Sequence, residues 1–380
     1  MSCAFNFSLP KSDMSLFSEI TIIGGGAIGL FTASAFVNAG FSVTVLEKNA
    51  LGQESSWAGG GILLPLYPWR QASAISDIVR LSHLLYPQLA EQLRLETGID
   101  PEWTACGLLM TQNPDYANAV AWCERYAVAY QDAGADLFTG LNTECEKPLW
   151  LPSIAQARNP RLLKALIANL RHKGVRFVEH CTIHAIEQRQ GRVVALESQQ
   201  GRWGIEQLVV CAGAWSGDLL VNLLPDLALV KANIAPVKGQ MLLFKAQSDT
   251  LKQMVLAGDR YLIPRRDGHI LVGSTVEQAG FNKQTTLAAR LQLEQFALHL
   301  LPALQHYPLV NHWAGLRPAT GNGVPYIDRY PQLANVYINA GHFRNGLVMG
   351  PGAAQLLVDK VLNRSSGIDL TPYGFFSPHE

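Results

Sequence analysis

The chain contains 380 residues, of which 48% are hydrophobic and 16% are charged. This length exceeds what a single hydrophobic core usually reaches, and the composition is that of a folded globular protein, so we expect two domains and no large disordered region. Thirty basic residues balance thirty acidic residues, which argues against nucleic acid or an anionic membrane surface as a partner. The expected ligand is a small molecule.

Neither a membrane span nor a secretory signal is expected. No apolar run reaches the roughly 18 to 20 residues that a membrane-spanning helix needs, and residues 1–18 lack the charged start and continuous apolar segment of a signal peptide. The cysteines show no Cys-x-x-Cys spacing, which predicts free thiols in a reducing compartment and a cytoplasmic protein. They are Cys3, Cys106, Cys123, Cys145, Cys181 and Cys211.

A metal site is not expected. His180 and His184 lie four residues apart, but in a strand this spacing merely places both side chains on one face. The chain also lacks a His-Glu-x-x-His or paired-cysteine motif.

A glycine-rich turn follows the first apolar segment, Ile20–Ile23. Gly24 allows a tight turn out of a strand, Gly26 allows close approach of the backbone to a pyrophosphate, and Gly29 allows a helix to pack against a sheet. Unpaired N–H groups at the start of that helix favour an anion. The pattern predicts a dinucleotide site, although a lone fingerprint of this kind also occurs as a tight turn in other α/β proteins.

The residues after the turn complete a βαβ unit. We predict a helix over 27–39, which Gly40 ends, and a second strand over 41–46. The strand ends on Glu47, whose carboxylate can accept hydrogen bonds from ribose hydroxyls.

The middle of the chain predicts one helix and several strands. Asn159 reads as a cap and Pro160 as the first turn of an amphipathic helix that Gly174 ends. Three short strands that follow fit a meander, and a buried strand comes next. These strands are predicted over 175–178, 182–186, 193–196 and 208–213.

An antiparallel sheet is predicted between Val237 and Ser274. Its strands are expected over 241–244, 260–263 and 269–273, with Asp267–Gly268 as a hairpin turn. A helix over 285–300, ended by Pro302, and a last helix introduced by Pro351–Gly352 and reaching about residue 362 complete the prediction.

The order of the motifs resembles that of the flavin-dependent amino-acid and amine oxidases, the superfamily of D-amino-acid oxidase, sarcosine oxidase and glycine oxidase, and is most similar to the glycine oxidases. The resemblance covers nearly the whole chain from residue 19. It rests on the glycine fingerprint and on the segments 54–61, 209–216, 313–318 and 341–346.

This resemblance implies an α/β fold in which a discontinuous Rossmann-like FAD-binding domain carries an antiparallel-sheet α+β substrate domain. The FAD-binding domain is expected to comprise 15–88, 154–230 and 323–365. The substrate domain is expected to comprise 89–153 and 231–322, with 1–14 and 366–380 as terminal extensions.

The resemblance also implies that the cofactor is FAD. We expect it to be noncovalent, because sarcosine oxidases attach flavin through a cysteine in the C-terminal half and this chain has none after Cys211. By motif position, the expected cofactor-binding residues are Gly24, Gly26, Ala27, Ile28, Gly29, Glu47, Lys48, Ser55, Ser56, Ala58, Gly59, Gly60, Gly61, Ile62, Ile183, Ala212, Gly213, Trp215, His342, Arg344, Asn345, Gly346 and Leu347.

Three residues match the family's substrate site. Arg317 matches the guanidinium that clamps the amino-acid carboxylate, and a planar fork suits that role. Tyr261 matches a second hydrogen-bond donor, and Arg344 matches an arginine near the entrance and the flavin. From residue type alone, an arginine such as Arg317 is more often an ion-pair partner and a strand tyrosine such as Tyr261 more often packs half-buried, so both assignments rest on the motif match.

The expected reaction is oxidative deamination of glycine or a related small amine, by hydride transfer from Cα to flavin with O2 as acceptor. The products are glyoxylate, ammonia and hydrogen peroxide, and in the glycine oxidases the imine can feed formation of the thiamine thiazole. Val276, Asp259 and Ala319 depart from the subfamily pattern, so glycine, sarcosine and small D-amino acids all remain open.

Two further functions stay open at this stage. One is a D-amino-acid or sarcosine dehydrogenase with an acceptor other than oxygen, and the other is a non-catalytic flavin- or nucleotide-binding module. Association into a homo-oligomer and transfer of the imine to a thiazole-forming enzyme also stay open.

Overall fold

The structure is a computed structural model that describes residues 18–112, 115–143, 145–223 and 233–376. The expected extension 1–14 and the end of the expected extension 366–380 therefore lie outside the described residues. The described part of the second one packs on the body of the protein: Tyr373 is buried and donates a hydrogen bond to the carbonyl oxygen of Ala74 at 2.7 Å.

The strands of the described residues fall into three sheets. They are β1 (Ile20–Ile23), β2 (Val43–Leu46), β3 (Leu108–Met110), β4 (Gln131–Asp132), β5 (Leu149–Leu151), β6 (Arg176–Val178), β7 (Ile183–Arg189), β8 (Arg192–Ser198), β9 (Gly201–Gly204), β10 (Gln207–Val210), β11 (Ile234–Lys245), β12 (Met254–Ala257), β13 (Arg260–Pro264), β14 (His269–Gly273), β15 (Leu309–Thr320), β16 (Tyr326–Arg329) and β17 (Val336–Ala340).

The α-helices of the described residues are interspersed among these strands. They are α1 (Ala27–Asn38), α2 (Glu54–Ala58), α3 (Ser73–Thr97), α4 (Tyr116–Tyr126), α5 (Asn159–His172), α6 (Ser216–Leu223), α7 (Leu287–Leu300) and α8 (Gly346–Val361). None of them is both long and apolar enough to cross a membrane.

A six-stranded sheet forms the first layer, in the order β16-β17-β10-β1-β2-β6. All its pairs are parallel except β16 with β17. Continuous apolar runs such as Ile20–Ile23 suit a parallel sheet, because both of its faces are covered. Here α1, α3, α5 and α8 cover one face, and the strands β7 to β9 cover the other.

An eight-stranded sheet forms the second layer, in the order β15-β11-β14-β13-β12-β3-β5-β4. Its pairs are antiparallel except β12 with β3. Alternation along β13 sets the two faces, since Leu262 packs towards α7 while Tyr261 and Ile263 face the segment that contains Gly60 and Leu64. The predicted fold class, a Rossmann-like α/β unit joined to a mainly antiparallel one, is confirmed.

The predicted meander is partly wrong. Residues 176–178 form β6, which pairs with β2 in the parallel sheet, and the third strand of the meander is instead β9 at Gly201–Gly204. The three short strands looked alike in sequence, and only the pairing with β2 separates the first of them from the other two.

The predicted start of the last helix is also wrong. Helix α8 begins at Gly346, five residues earlier than expected, and Pro351 lies inside it. A proline removes the N–H that would bond the carbonyl four residues before it. That carbonyl belongs to Leu347, and it accepts a hydrogen bond from the Tyr86 hydroxyl at 2.5 Å instead.

Asn159 does not cap its helix as predicted. The N-cap of α5 is Arg158, and no side chain forms a capping bond there. The Asn159 amide instead donates to the carbonyl oxygen of Ser56 at 2.7 Å, which ties α5 to α2.

Candidate active site

A cavity of about 510 Å³ lies between the two large sheets, within the size range of small-molecule sites. One end is formed by the residues that follow β1, β2, β10 and β17 at the carboxyl edge of the parallel sheet. In open α/β sheets this edge is where ligands bind. The other end is formed by the antiparallel sheet, with Gly239, Met241, Tyr261, Gly315 and Arg317.

The glycine turn after β1 folds as its sequence predicts. Gly24 has φ of +108°, and a Cβ atom there would lie 2.4 Å from the carbonyl oxygen of Cys211. A Cβ atom on Gly29 would lie 1.9 Å from the carbonyl oxygen of Gly24, so helix α1 can approach β1 this closely only at a glycine. Gly29 packs against the turn and does not line the cavity.

The start of α1 faces the cavity. Its N-cap, Gly26, has no side chain to satisfy the first N–H groups of the helix, and the hydroxyl of Ser56 accepts from the N–H of Ala27 at 2.8 Å. An exposed helix N-terminus favours an anionic group because of its N–H donors and dipole.

Glu47 lines the same end of the cavity, with its carboxylate held by backbone. Its Oε2 accepts from the N–H of Gly25 at 2.7 Å and its Oε1 from the N–H of Asn49 at 2.8 Å. Each carboxylate oxygen keeps a further lone pair for a ligand hydroxyl. Glu47 therefore both braces the glycine turn and offers an acceptor.

All of the predicted cofactor residues except Gly29 line this one cavity. They come from distant parts of the chain: Gly24, Gly26, Ala27, Ile28, Glu47, Lys48, Ser55, Ser56, Ala58, Gly59, Gly60, Gly61, Ile62, Ile183, Ala212, Gly213, Trp215, His342, Arg344, Asn345, Gly346 and Leu347. The predicted substrate residues Tyr261 and Arg317 line it as well.

Several buried polar atoms along the cavity lack a hydrogen-bond partner within the described residues. They are Oδ1 of Asn159, Oδ1 of Asn339, both ring nitrogens of His342 and Nη2 of Arg344. Buried polar groups are rarely left unpaired in proteins. Their grouping here fits a ligand that carries many donors and acceptors along its length.

Arg317 projects from β15 towards the cavity with all of its observed hydrogen bonds made to uncharged acceptors. Nη2 donates to the Ser274 hydroxyl at 2.9 Å, and Nη1 donates to the carbonyl oxygens of Thr275 at 3.1 Å and Lys238 at 3.4 Å. Burial lowers the pKa of this guanidinium to about 10, so it stays charged at neutral pH. Within the part of the chain that the structure describes, the positive charge is thus fixed in place by hydrogen bonds and forms no ion pair with a carboxylate.

Gly239 makes room for this guanidinium. Cross-strand pairing of β11 with β15 sets Val237 opposite Arg317. A Cβ atom on Gly239 would lie only 2.1 to 2.4 Å from the guanidinium atoms of Arg317, so the side chain lies flat against the bare backbone. The sequence offered a signal for Gly239, since an isolated glycine inside a strand often marks a place where another group comes close to the backbone.

Tyr261 lies beside Arg317 on the cavity-facing side of β13. Its hydroxyl donates to the sulfur of Met241 at 3.4 Å, and a thioether is a weak acceptor. The hydroxyl can therefore turn to a stronger acceptor such as a carboxylate. Met241, like Asn159 and Gly239, was not among the predicted site residues.

Two of the positions that depart from the subfamily pattern lie away from this group. Val276 is 53% exposed and does not line the cavity, and neither does Asp259. Within the described residues, no cluster of histidine, cysteine and acidic side chains is arranged to hold a metal ion.

Residues 19–360 match the family described as FAD dependent oxidoreductase (DAO). The chain belongs to this family. This confirms the resemblance seen in the motifs and identifies FAD as the cofactor of the family. The donors and acceptors of the cavity fit such a dinucleotide, with the α1 terminus and Glu47 at one end and the unpaired atoms of Asn159 and His342 further along.

Relatives that cover more than nine-tenths of this chain support its assignment to the FAD-dependent family. The chain is 42% identical to "Glycine oxidase" of Pseudomonas putida over 360 residues, which cover 93% of this chain and 97% of that protein. It is 31% identical to "Bifunctional protein ThiO/ThiG" of Trichormus variabilis, covering 92% of this chain and 53% of that protein. The crystal structure of glycine oxidase from Geobacillus kaustophilus superposes with a TM-score of 0.88 at 25% identity, covering 96% and 99% of the two chains.

Replacing Glu47 by alanine should increase FAD release by about tenfold, the scale of a lost hydrogen bond to a charged group. The change removes the acceptor of Gly25 N–H and Asn49 N–H and the acceptor offered to the ribose. Release is measured by dilution and ultrafiltration. Glu19→Ala is the control, because Glu19 accepts the N–H of Ser42 without lining the cavity. Release at the wild-type rate from Glu47→Ala contradicts the ribose assignment.

His342 should make the stability of the apoprotein depend on pH. Burial lowers its pKa to about 3, while an unfolded histidine titrates near 6.5. Between these values the unfolded state binds the extra proton, so stability falls as the pH decreases, by about 1.4 kcal/mol per unit. Urea unfolding at pH 6.5 and pH 5 measures this loss, and His342→Gln should remove about 1.6 kcal/mol of it. Equal losses in both proteins would contradict a neutral, buried His342.

Proposed function

We propose that this protein catalyses the FAD-dependent oxidative deamination of glycine and related small amines, with O2 as the electron acceptor. The observation that carries this proposal is the Arg317 guanidinium, which faces the FAD cavity with only uncharged hydrogen-bond acceptors around it. A fixed cation without a carboxylate partner suits a substrate that brings its own carboxylate. The relatives named glycine oxidase point to the same substrate class.

Arg317 and Tyr261 bind and orient the substrate in this proposal. The planar guanidinium holds the two carboxylate oxygens, and the Tyr261 hydroxyl leaves the weak acceptor Met241 to donate a further bond. These contacts fix the carboxylate, so that the Cα–H bond of a small substrate is presented to the cofactor. Bound FAD would supply the acceptor for the hydride from Cα and the route of the two electrons to O2, which would give hydrogen peroxide.

No side chain is assigned as an obligatory base. The carboxylates that line the cavity within the described ranges are Glu47, Glu54 and Asp218. Glu47 holds the glycine turn, and Glu54 pairs with Lys283 at 2.9 Å. In this proposal the amine reacts in its neutral form. Loss of a hydride from Cα and a proton from nitrogen gives the imine, and water then yields glyoxylate and ammonia.

We infer that FAD is held noncovalently. The cysteines that line the cavity in the described part of the chain are Cys181 and Cys211. Burial raises the pKa of the Cys211 thiol to about 12, which leaves little of the thiolate needed for attachment. Denaturation in acid should release the flavin completely into the supernatant, whereas flavin retained in the precipitate would contradict this inference.

We also propose that the chain divides at the boundaries expected from its sequence, with 15–88, 154–230 and 323–365 binding FAD. The distribution of the strands between the two large sheets supports this division. The remaining segments 89–153 and 231–322 then carry the substrate residues.

The relative named ThiO/ThiG favours a role in which the imine is passed to thiazole formation for thiamine.

A substrate panel tests the proposed reaction. The FAD-loaded protein is mixed with glycine, sarcosine, D-alanine and D-proline, first without oxygen and then in air. Bleaching of the flavin followed by rapid reoxidation with release of peroxide is the expected result. Bleaching with slow reoxidation indicates a dehydrogenase, and a flavin that no amino acid bleaches indicates a non-catalytic binding module.

A further inference from the structure

Arg265 is a buried cation that the proposed reaction does not use. It follows β13, directly after the segment that carries Tyr261, and is 6% exposed. Burial lowers the pKa of its guanidinium to about 10, so it remains charged at neutral pH. A buried charge is costly unless it is hydrogen-bonded, and its partners therefore indicate what it does.

The hydrogen bonds of Arg265 all end on uncharged oxygens. Nη1 donates to the side-chain oxygen of Gln156 and to the carbonyl oxygen of Ala157 at 3.4 Å, and Nη2 donates to the carbonyl oxygen of Gly60 at 2.8 Å. The nearby carboxylates are engaged elsewhere, since Glu102 and Asp267 pair with Arg158 at 3.2 and 2.8 Å. The positive charge of Arg265 is therefore held by uncharged oxygens, among them the backbone carbonyls of Gly60 and Ala157 behind the cavity.

The bond to Gly60 fixes the orientation of a peptide that lines the cofactor cavity. In a planar trans peptide the C=O and the following N–H point in opposite directions. Because the Gly60 carbonyl points at Arg265, the N–H of Gly61 points to the other side. Gly60 and Gly61 both line the cavity, while Arg265 does not.

One further hydrogen bond holds the same segment, and the ring of Tyr261 lies close to it. The carbonyl oxygen of Gly61 accepts from the N–H of Ala157 at 2.9 Å. A Cβ atom on Gly60 would lie 3.1 Å from the ring of Tyr261. Arg265 therefore links the strand of the substrate residue Tyr261 to the glycine segment of the cofactor site.

We propose that Arg265 is a positioning residue that holds the Gly60–Gly61 peptide with its N–H directed at bound FAD and places a fixed positive charge behind it. The inference rests on the proposal that FAD occupies this cavity. A positive charge at this place stabilises negative charge on the reduced cofactor. Arg265 then affects both the affinity for FAD and its reduction potential without touching the substrate.

The test compares Arg265→Met and Arg265→Lys with the adjacent control Arg266→Met. Arg266 is an exposed arginine that bonds Asp100 at 2.6 Å and the carbonyl oxygen of Trp103 at 2.8 Å, away from the cavity. The FAD dissociation constant of each apoprotein is measured by quenching of flavin fluorescence. The reduction potential of the loaded proteins is measured against a reference dye.

Arg265→Met should raise the dissociation constant by at least about tenfold and make the potential more negative. Arg265→Lys should weaken FAD binding but keep the wild-type reduction potential. Lysine preserves the positive charge but cannot make the hydrogen bonds of the guanidinium to Gln156, Ala157 and Gly60 together. Arg266→Met should leave both quantities unchanged. If Arg265→Met does not fold, Arg265→Lys decides the question through its weakened FAD binding.

Wild-type affinity and potential in the folded Arg265 variants would overturn the proposal. A variant that melts earlier as apoprotein but binds FAD with wild-type affinity and potential would also overturn it, because the role of Arg265 would then be structural alone. These outcomes do not depend on the substrate. A wild-type flavin that no amino acid reduces would refute the proposed reaction while leaving the Arg265 test intact.

Discussion

Replacing Arg317 by alanine is expected to raise KM for glycine by at least about a hundredfold, because two charge-assisted hydrogen bonds to the carboxylate are lost. FAD binding should remain, since Arg317 bonds residues of the antiparallel sheet and not the glycine turn. The KM of Arg317→Lys should lie between that of the wild type and that of Arg317→Ala, because lysine keeps the charge but not the planar fork. Steady-state kinetics with peroxide detection give KM and kcat, and flavin absorbance gives the bound FAD.

A comparison of glycine with glycinamide isolates the contribution of the carboxylate. Wild-type enzyme should strongly prefer glycine, and Arg317→Ala should lose most of this preference because the cation that recognises the carboxylate is gone. Arg290→Ala is the matched control, since Arg290 is on α7 and pairs with Glu294 at 3.7 Å outside the cavity. Unchanged kinetics in Arg317→Ala would show that the guanidinium has a structural role only.

The cofactor end of the site could be predicted from the sequence because it depends on local geometry. The strand, the three glycines, the helix and Glu47 all lie within residues 20–47. The conformation of Gly24 and the contact of Gly29 with Gly24 are properties of a single turn. Such short-range constraints leave a recognisable spacing in the chain.

The substrate end depends on contacts between strands that are distant in sequence. Arg317 meets Ser274 and Gly239 only through the pairing of β11 with β14 and β15. The 12-residue strand β15 was not predicted as a strand, and only the family motif singled out its arginine. Periodicity identifies an element but not its partner in a sheet.

Some residues were misread because their local preference is overridden by tertiary contacts. Asn159 has the residue type and position of a helix cap, yet its amide bonds Ser56 across the interface with α2. Pro351 has the pattern of a helix start, yet Tyr86 satisfies the carbonyl that it leaves free. Helix α3, 25 residues long, was missed, because Leu84 and Leu95 are exposed while Ser76 and Ser82 are buried, so its apolar and polar residues do not divide cleanly between two faces.

The interpretation of Arg317 as a clamp also makes a strong prediction for a residue that has no side chain. Gly239 lies under the guanidinium, and an alanine Cβ would come within 2.4 Å of three of its atoms. Because Gly239 lies within β11, between β14 and β15, the backbone cannot easily move away. The guanidinium must instead shift and give up its bonds to Ser274 and Thr275.

Gly239→Ala should therefore raise KM for glycine by at least about tenfold, the scale of a lost charge-assisted bond, with FAD binding unchanged. Gly321→Ala is the control, because the nearest atom to a Cβ there is 4.0 Å away. The double variant Gly239→Ala with Arg317→Ala should have the KM of Arg317→Ala alone, since substitutions that act through one group are not additive. Additive effects on KM would mean that Gly239 supports the site independently of Arg317.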